Sequence, residues 1–151
     1  MRKYHFHFSS FKSLSSSQLE AIFSLRQRVF IIEQECLFED IDGFDSKADH
    51  LLFFDDDQLV GYLRVLGPGI KFENTSSIGR IVVDKKYRGE KLGQQLIANG
   101  IEKCFLLYPN CSITIEAQAH LSSYYNKFGF TSSSNTYIVD GIPHLLMVLD
   151  K

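Results

Sequence analysis

The sequence lacks any organised set of cysteines. Cys36, Cys104 and Cys111 are three in number, with no C-x-x-C spacing. That argues against a disulfide framework and against a zinc site, and for buried thiols in a reducing compartment. A dominant charge is also missing. Lys and Arg number 16 against 18 Asp and Glu, a formal net charge of -2, and no basic block occurs. Nothing here is an electrostatic footprint for nucleic acid. No stretch approaches the ~20 apolar residues of a membrane span, and the N-terminus has no apolar signal-peptide run. The expected location is therefore cytoplasmic, with no membrane partner. In that setting Asn74-Thr75-Ser76 and Asn110-Cys111-Ser112 are chance matches to the glycosylation pattern. Internal repeats and composition shifts are absent too, so the 151 residues are read as one domain, 1–151.

What is present is a mixture of strand and helix patterns, 44% hydrophobic overall. Tyr4, Phe6 and Phe8 alternate with Lys3, His5 and His7, as in a first strand with solvated histidines. Ser17-Gln18-Leu19-Glu20 has capping-box spacing, and Leu19, Ile22, Phe23, Arg26, Val29 and Phe30 follow at helical intervals. Arg26 lies inside that stripe, either snorkelling outward or aimed at a cleft.

Residues 31–45 run from apolar to acidic, with Glu33, Glu35, Glu39, Asp40, Asp42 and Asp45 interleaved with Phe38, Ile41 and Phe44. This is either a solvated face or a packed loop that turns carboxylates toward a cationic substrate. Its spacing is not that of a calcium loop. Leu51 to Phe54 and Leu59 to Leu66 flank Asp55-Asp56-Asp57, a hairpin pattern. The strand arginines Arg64 and Arg80 pair with the acidic loop or receive a substrate carboxylate, and pairing is the preferred expectation.

The stretch from Ile78 to Gly93 organises the chain. It begins as a strand, turns through Asp84-Lys85-Lys86, and enters a helix with apolar positions at Leu92, Leu96, Ile97, Ile101 and Cys104. Between them lies Arg88-Gly89-Glu90-Lys91-Leu92-Gly93. Glycines at a helix start let an anion approach N–H groups that lack internal partners, on the positive side of the helix dipole. Pro109 and Asn110 end this helix, and a strand over 112–117 completes a βαβ unit with parallel strands. A short helix over 119–127 ends at Gly129. Two final strands, 137–139 and 144–149, enclose the turn Asp140-Gly141-Ile142-Pro143.

The Arg88 to Gly93 turn and the later Tyr125-Asn126-Lys127-Phe128-Gly129-Phe130 resemble the GNAT N-acetyltransferase superfamily. Within it the chain is similar to the ElaA-like group. The stretches that carry this run from Arg28 to Cys36, from Asp42 to Asp45, His50-Leu51, from Ile78 to Val83, Ala117 to His120, and Asp140 to His144. The resemblance implies an α/β (α+β) fold, a mixed central sheet of about six to seven strands flanked by about four helices. It implies acetyl-CoA as cosubstrate, no metal, a small-molecule or peptide amine as acceptor, and a homodimer.

The same resemblance assigns the pantetheine arm to the backbone of Ile81, Val82 and Val83. It assigns the pyrophosphate to Arg88, Gly89, Glu90, Lys91, Leu92, Gly93 and Gln94. Lys91 replaces a usual glycine, so its main-chain angles are expected to suit a side chain. Gln118 replaces a frequent asparagine that bonds the pantetheine amides. Tyr125 matches the tyrosine that protonates the departing thiolate, its alternative being a core aromatic. Glu33, Glu116, His120 and His144 are the candidates for general base, with solvent as the alternative. Strand alternation puts Glu116 and Gln118 on one face without saying which face borders the cleft. Two other activities compete. One is an acyl-homoserine-lactone synthase, suggested by Arg28, Val29, Phe30, Asp40, Asp42 and Asp45. The other is a non-catalytic CoA-binding module.

Overall fold

The computed structural model describes residues 4–151; Lys3, part of the expected first strand, lies with residues 1–2 outside the described residues. Four strands form an antiparallel sheet in the order β1 (Tyr4–Ser10), β2 (Asp49–Asp55), β3 (Gln58–Leu66), β4 (Ser77–Val83). A second antiparallel sheet contains β5 (Ile113–Gln118), β8 (Ile142–Leu149) and the two-residue β6 (Thr131–Ser132), with β7 (Tyr137–Val139) also paired to β8. Three α-helices accompany them: α1 (Ser16–Arg26), α2 (Leu92–Leu107) and α3 (Ser122–Asn126). The architecture is the expected mixed α/β one. Its eighth strand, beyond the expected six to seven, is the two-residue β6.

Local chemistry sets most boundaries. The α1 start is two residues earlier than the Ser17 box. Ser15 accepts from the Gln18 N–H at 3.1 Å, and the Gln18 side chain accepts from the Ser15 N–H at 2.9 Å. Serine followed by Gln is as good a box as serine followed by Glu, and the earlier pair claims the helix start. Beyond Arg26 the helix widens into a π-helical run, Gln27–Glu33. Asp56-Asp57 turns β2 into β3, and Asp140-Gly141 turns β7 into β8 with positive φ at both residues.

Leu92, Leu96 and Cys104 of α2 are buried with Leu63, Ile78 and Ile113 in the main core. Gly100 permits the close approach. A Cβ there would lie 2.8 Å from Leu63 Cδ2. A second core lies on the other face of the first sheet, where Ile22, Leu25 and Val29 meet Leu52, Tyr62 and Val82.

The two sheets join at one place. Ser76 and Ile113 form a parallel bridge, with Ser76 N–H to Ser112 O at 3.1 Å and Thr114 N–H to Ser76 O at 2.9 Å. The expected parallel pairing of β4 and β5 goes no further. Opposite Leu63 the register shifts, so that Arg80 and Ile81 together face one residue of β3, and Arg80 takes a left-handed φ of 50°. Such a bulge bends its strand, and a cleft opens between β4 and β5.

Candidate active site

The cleft has a volume of about 820 Å³. Gly79, Arg80 and Ile81 form one wall, and Glu116, Ala117 and Gln118 the other. Tyr125, His120 and His144 also line it, as do Cys36, Phe38 and Asp42 from the segment after α1. The structure thus gathers Ile81, Glu116, Gln118, His120, Tyr125 and His144 around one space. Val82 is buried in the second core, on the opposite face of its strand.

The glycine-bearing turn follows the β4 wall in the chain, between residues 85–87 and α2. Gly89 has φ of 89°, and Lys91, the residue before α2, is left-handed at φ 61°, ψ 21°. The expectation that Lys91 adopts angles suited to a side chain is therefore corrected: the chain keeps the glycine-type backbone and places a lysine on it. Lys91 makes no side-chain cap to α2. The first-turn N–H groups of Leu92, Gly93 and Gln94 consequently face outward without a capping side chain, which is what an anion needs. Gly93 keeps this start narrow, since the Tyr124 hydroxyl lies 3.4 Å from where its Cβ would be.

The arginine of the turn is engaged differently from its sequence assignment. Arg88 donates through Nε and Nη2 to the Val83 carbonyl at 3.2 and 3.1 Å. It also forms a two-pronged pair with Glu33, at 2.5 and 3.0 Å. Glu33 is not among the cleft residues, and the Arg88 hydrogen bond holds its carboxyl below the usual range. Pairing with Arg88 and a place outside the cleft lining set Glu33 apart from the other candidate bases. Glu90 likewise turns away, its carboxylate accepting from the Tyr4 hydroxyl.

On the opposite wall, Glu116 accepts from the Tyr137 hydroxyl at 2.7 Å and pairs with Lys71 at 3.4 Å. Burial pushes its carboxyl up, but the Tyr137 hydrogen bond and Lys71 outweigh it and the net direction is down. His144 lies opposite Gln118 in the ladder, with Nδ1 2.8 Å from the Ile142 carbonyl. A carbonyl only accepts, so neutral His144 carries its proton on Nδ1 and leaves the lone pair on Nε2. Tyr125 packs edge-on against Tyr124 and Phe130, and burial followed by the neighbouring Tyr124 pushes its phenol up to about 12.

Behind the acceptor side stands a network the sequence only hinted at. Arg26, with 0% side-chain exposure, binds Asp40 at 2.9 Å and Asp45 at 2.8 Å. Arg64 binds Asp42 at 2.5 Å and Asp45 at 2.9 Å. Arg80 binds Asp40 at 2.9 Å and Asp42 at 3.2 Å. Burial alone would push the Asp42 carboxyl up, but the two arginines and the Phe44 N–H drive it far down. These pairings correct both open expectations for Arg26: it neither snorkels nor reaches a cleft. They bear out the expected pairing of Arg64 and Arg80 with the acidic segment, and they exclude a solvated face for Asp40, Asp42 and Asp45. The signal was present as three arginines inside apolar patterns and an acidic run of similar strength, but no local spacing matches one to the other. Among the described residues no group of His, Cys, Asp and Glu is placed to hold a metal ion.

Residues 14–151 match the acetyltransferase (GNAT) domain family. The chain is 43% identical over 136 residues to the protein ElaA of Escherichia coli K12, covering 89% of this chain and 88% of the relative. The crystal structure of Escherichia coli ElaA superposes with a TM-score of 0.91 at 37% identity, over 98% of this chain and 100% of that one. An acyl-CoA N-acyltransferase from Pseudomonas aeruginosa superposes with a TM-score of 0.92 at 34% identity, over 97% and 99% of the two chains.

Proposed function

This chain belongs to the acetyltransferase (GNAT) domain family, and on that premise we propose that it moves an acetyl group from acetyl-CoA directly to the amine of a small molecule or peptide. The observation that carries this is two features that follow one another along the chain, from the β4 wall of the cleft to the start of α2. An uncapped helix start with glycine-type backbone suits a pyrophosphate, and the splayed strands beside it leave room for the pantetheine and the acceptor.

In this mechanism the acceptor nitrogen attacks the thioester carbonyl carbon. The oxygen gains negative charge and is stabilised by main-chain N–H at the β4 bulge, near Ile81. The C–S bond then breaks, and the Tyr125 hydroxyl gives its proton to the leaving thiolate. A phenol pushed up to about 12 is protonated at neutral pH, as a proton donor must be. His144 is the best-placed base, since its Nδ1 hydrogen bond leaves Nε2 to accept the amine proton directly or through a water. Glu116, held ionised by Tyr137 and Lys71, serves better to attract the ammonium than to deprotonate it. His120, exposed at the cleft, is a lesser alternative. Gln118 is the pantetheine partner on the β5 wall.

A cytoplasmic location and two-fold association belong to the same proposal. No described helix is long and apolar enough to cross a membrane. The net charge of -2 favours neither nucleic acid nor an anionic lipid surface. The test is release of free CoA thiol over polyamines, amino acids, aminoglycosides and peptide N-termini, with acetyl-CoA binding measured by calorimetry on the same protein. Acceptor-dependent thiol release is expected. Binding without turnover on any amine would favour the non-catalytic module, and turnover only with S-adenosylmethionine would favour the homoserine-lactone chemistry.

A further inference from the structure

The three arginines of the buried network are not equivalent. Arg26 uses Nε, Nη1 and Nη2 on Asp40 and Asp45. Arg64 uses both terminal nitrogens on Asp42 and Asp45, and its Nε is sealed from solvent. Arg80 commits only Nε and Nη2, to Asp40 and Asp42. Its Nη1 makes no hydrogen bond among the described residues and is not among the sealed atoms. The side chain is 21% exposed and lines the cleft.

The rest of the guanidinium is fixed. Asp40 and Asp42 hold two nitrogens, and the Phe38 ring lies 5.2 Å from its centre. A locked fork with one open edge is a preorganised carboxylate site, because little side-chain freedom is left to lose on binding. Its charge is also under-compensated: burial, followed by nearby Arg64, outweighs Asp42 and Asp40 and makes Arg80 a weaker base than a free arginine. Arg26 and Arg64 go the other way. An incoming anion at Nη1 relieves that imbalance.

Arg80 is the bulge residue itself, one position before Ile81. The opposite wall of the same cleft carries Glu116 and His144, suited to an ammonium. A ligand with an anionic group beside its amine matches both walls at once. We propose that Arg80 binds the carboxylate of the acceptor, and that the acceptor is therefore of the α-amino-acid class. The inference rests on the acetyl-transfer reading given above.

The test uses matched triples on the wild-type protein: an L-amino acid, its amide and its decarboxylated amine, for example leucine, leucinamide and 3-methylbutylamine, with small, aromatic and acidic side chains also covered. A kcat/KM roughly 10- to 100-fold higher for the acid than for its amide is expected, the size of a charge-assisted hydrogen bond. Amine basicity cannot produce that order, because the amide carries the less basic and more readily unprotonated amine. In Arg80→Met the ratio should fall to about one while acetyl-CoA affinity stays unchanged, and Arg80→Lys should restore part of it. Should these variants not fold, the wild-type triples decide alone.

Equal or better turnover of the amides and amines would overturn the inference and leave acetyl transfer standing. A preference for succinyl-CoA with neutral amines would assign the carboxylate to the acyl donor, and would also overturn it. Absence of acetyl-CoA binding would instead overturn the transfer reading on which it rests.

Discussion

At the scale of single residues, the cleft separates groups that compete in the sequence for the same roles. Four candidate bases stand on equal terms by residue type, and their partners rank them. Glu33 is taken by Arg88, Glu116 by Tyr137 and Lys71, and His144 is held in the tautomer that leaves Nε2 open. Tyr125→Phe should lower kcat by about 100-fold, within the span of positioned general-acid catalysis, with acetyl-CoA affinity little changed. Steady-state kinetics with calorimetry checks this, and unchanged turnover would remove Tyr125 from the mechanism. Ile81, Glu116, Gln118, His120, Tyr125 and His144 were legible as candidates because their motif neighbours carry the family resemblance. Their partners were not. Arg88 and Glu33 lie far apart in the chain, and nothing near either of them specifies the other.

At the scale of elements, boundaries follow from side chains that serve the backbone. Ser15 caps α1 and Ser17 does not. Ser15→Ala should cost about 1 kcal/mol, while Ser17→Ala should stay within about 0.5 kcal/mol, by urea denaturation. Lys91 is a second case. A left-handed residue other than glycine costs about 1 kcal/mol, so Lys91→Gly should raise stability by up to that amount in thermal melts. A loss instead would mean that the lysine side chain stabilises the folded state by more than its backbone angle costs. The α2 boundaries were legible because apolar spacing, glycine and proline agree. The β4 bulge was not. At the bulge stands an arginine with φ of 50° whose side chain pairs with Asp40 and Asp42, and strand propensity carries no trace of either.

At the scale of the whole molecule, ionised and neutral groups buried between α1, the acidic segment and the first sheet couple stability to pH. His50 sits among them, its Nε2–H donating to the Asp45 carbonyl at 2.9 Å and its Nδ1 accepting from the Tyr62 hydroxyl at 2.7 Å. Burial pushes its pKa down, so it is neutral when folded and takes up a proton more readily when unfolded. Its contribution is therefore complete above the ordinary histidine value near 6.5 and declines as pH falls below it. Stability should drop from pH 7 to pH 5 by at most about 1.4 kcal/mol per unit for this one proton, and His50→Gln should flatten that slope. Asp42, held far down by Arg64, the Phe44 N–H and Arg80, contributes fully above the ordinary carboxylate value of about 3.9 and loses that contribution as pH falls below it toward the folded value. The element order of the molecule was readable from periodicity and turn residues. The division into two sheets meeting at Ser76 and Ile113 was not, since a βαβ pattern predicts pairing along the whole strand and the described residues make one bridge.

Acetyl-CoA is expected to lie from the start of α2 along β4 to the bulge. Amide chemical shifts on titration with acetyl-CoA test it most directly. The largest saturable changes are expected on the N–H groups of Gly89 through Gln94, with Ile81 and Tyr125 next. Saturable changes confined to other surfaces, with those amides unmoved, would contradict it.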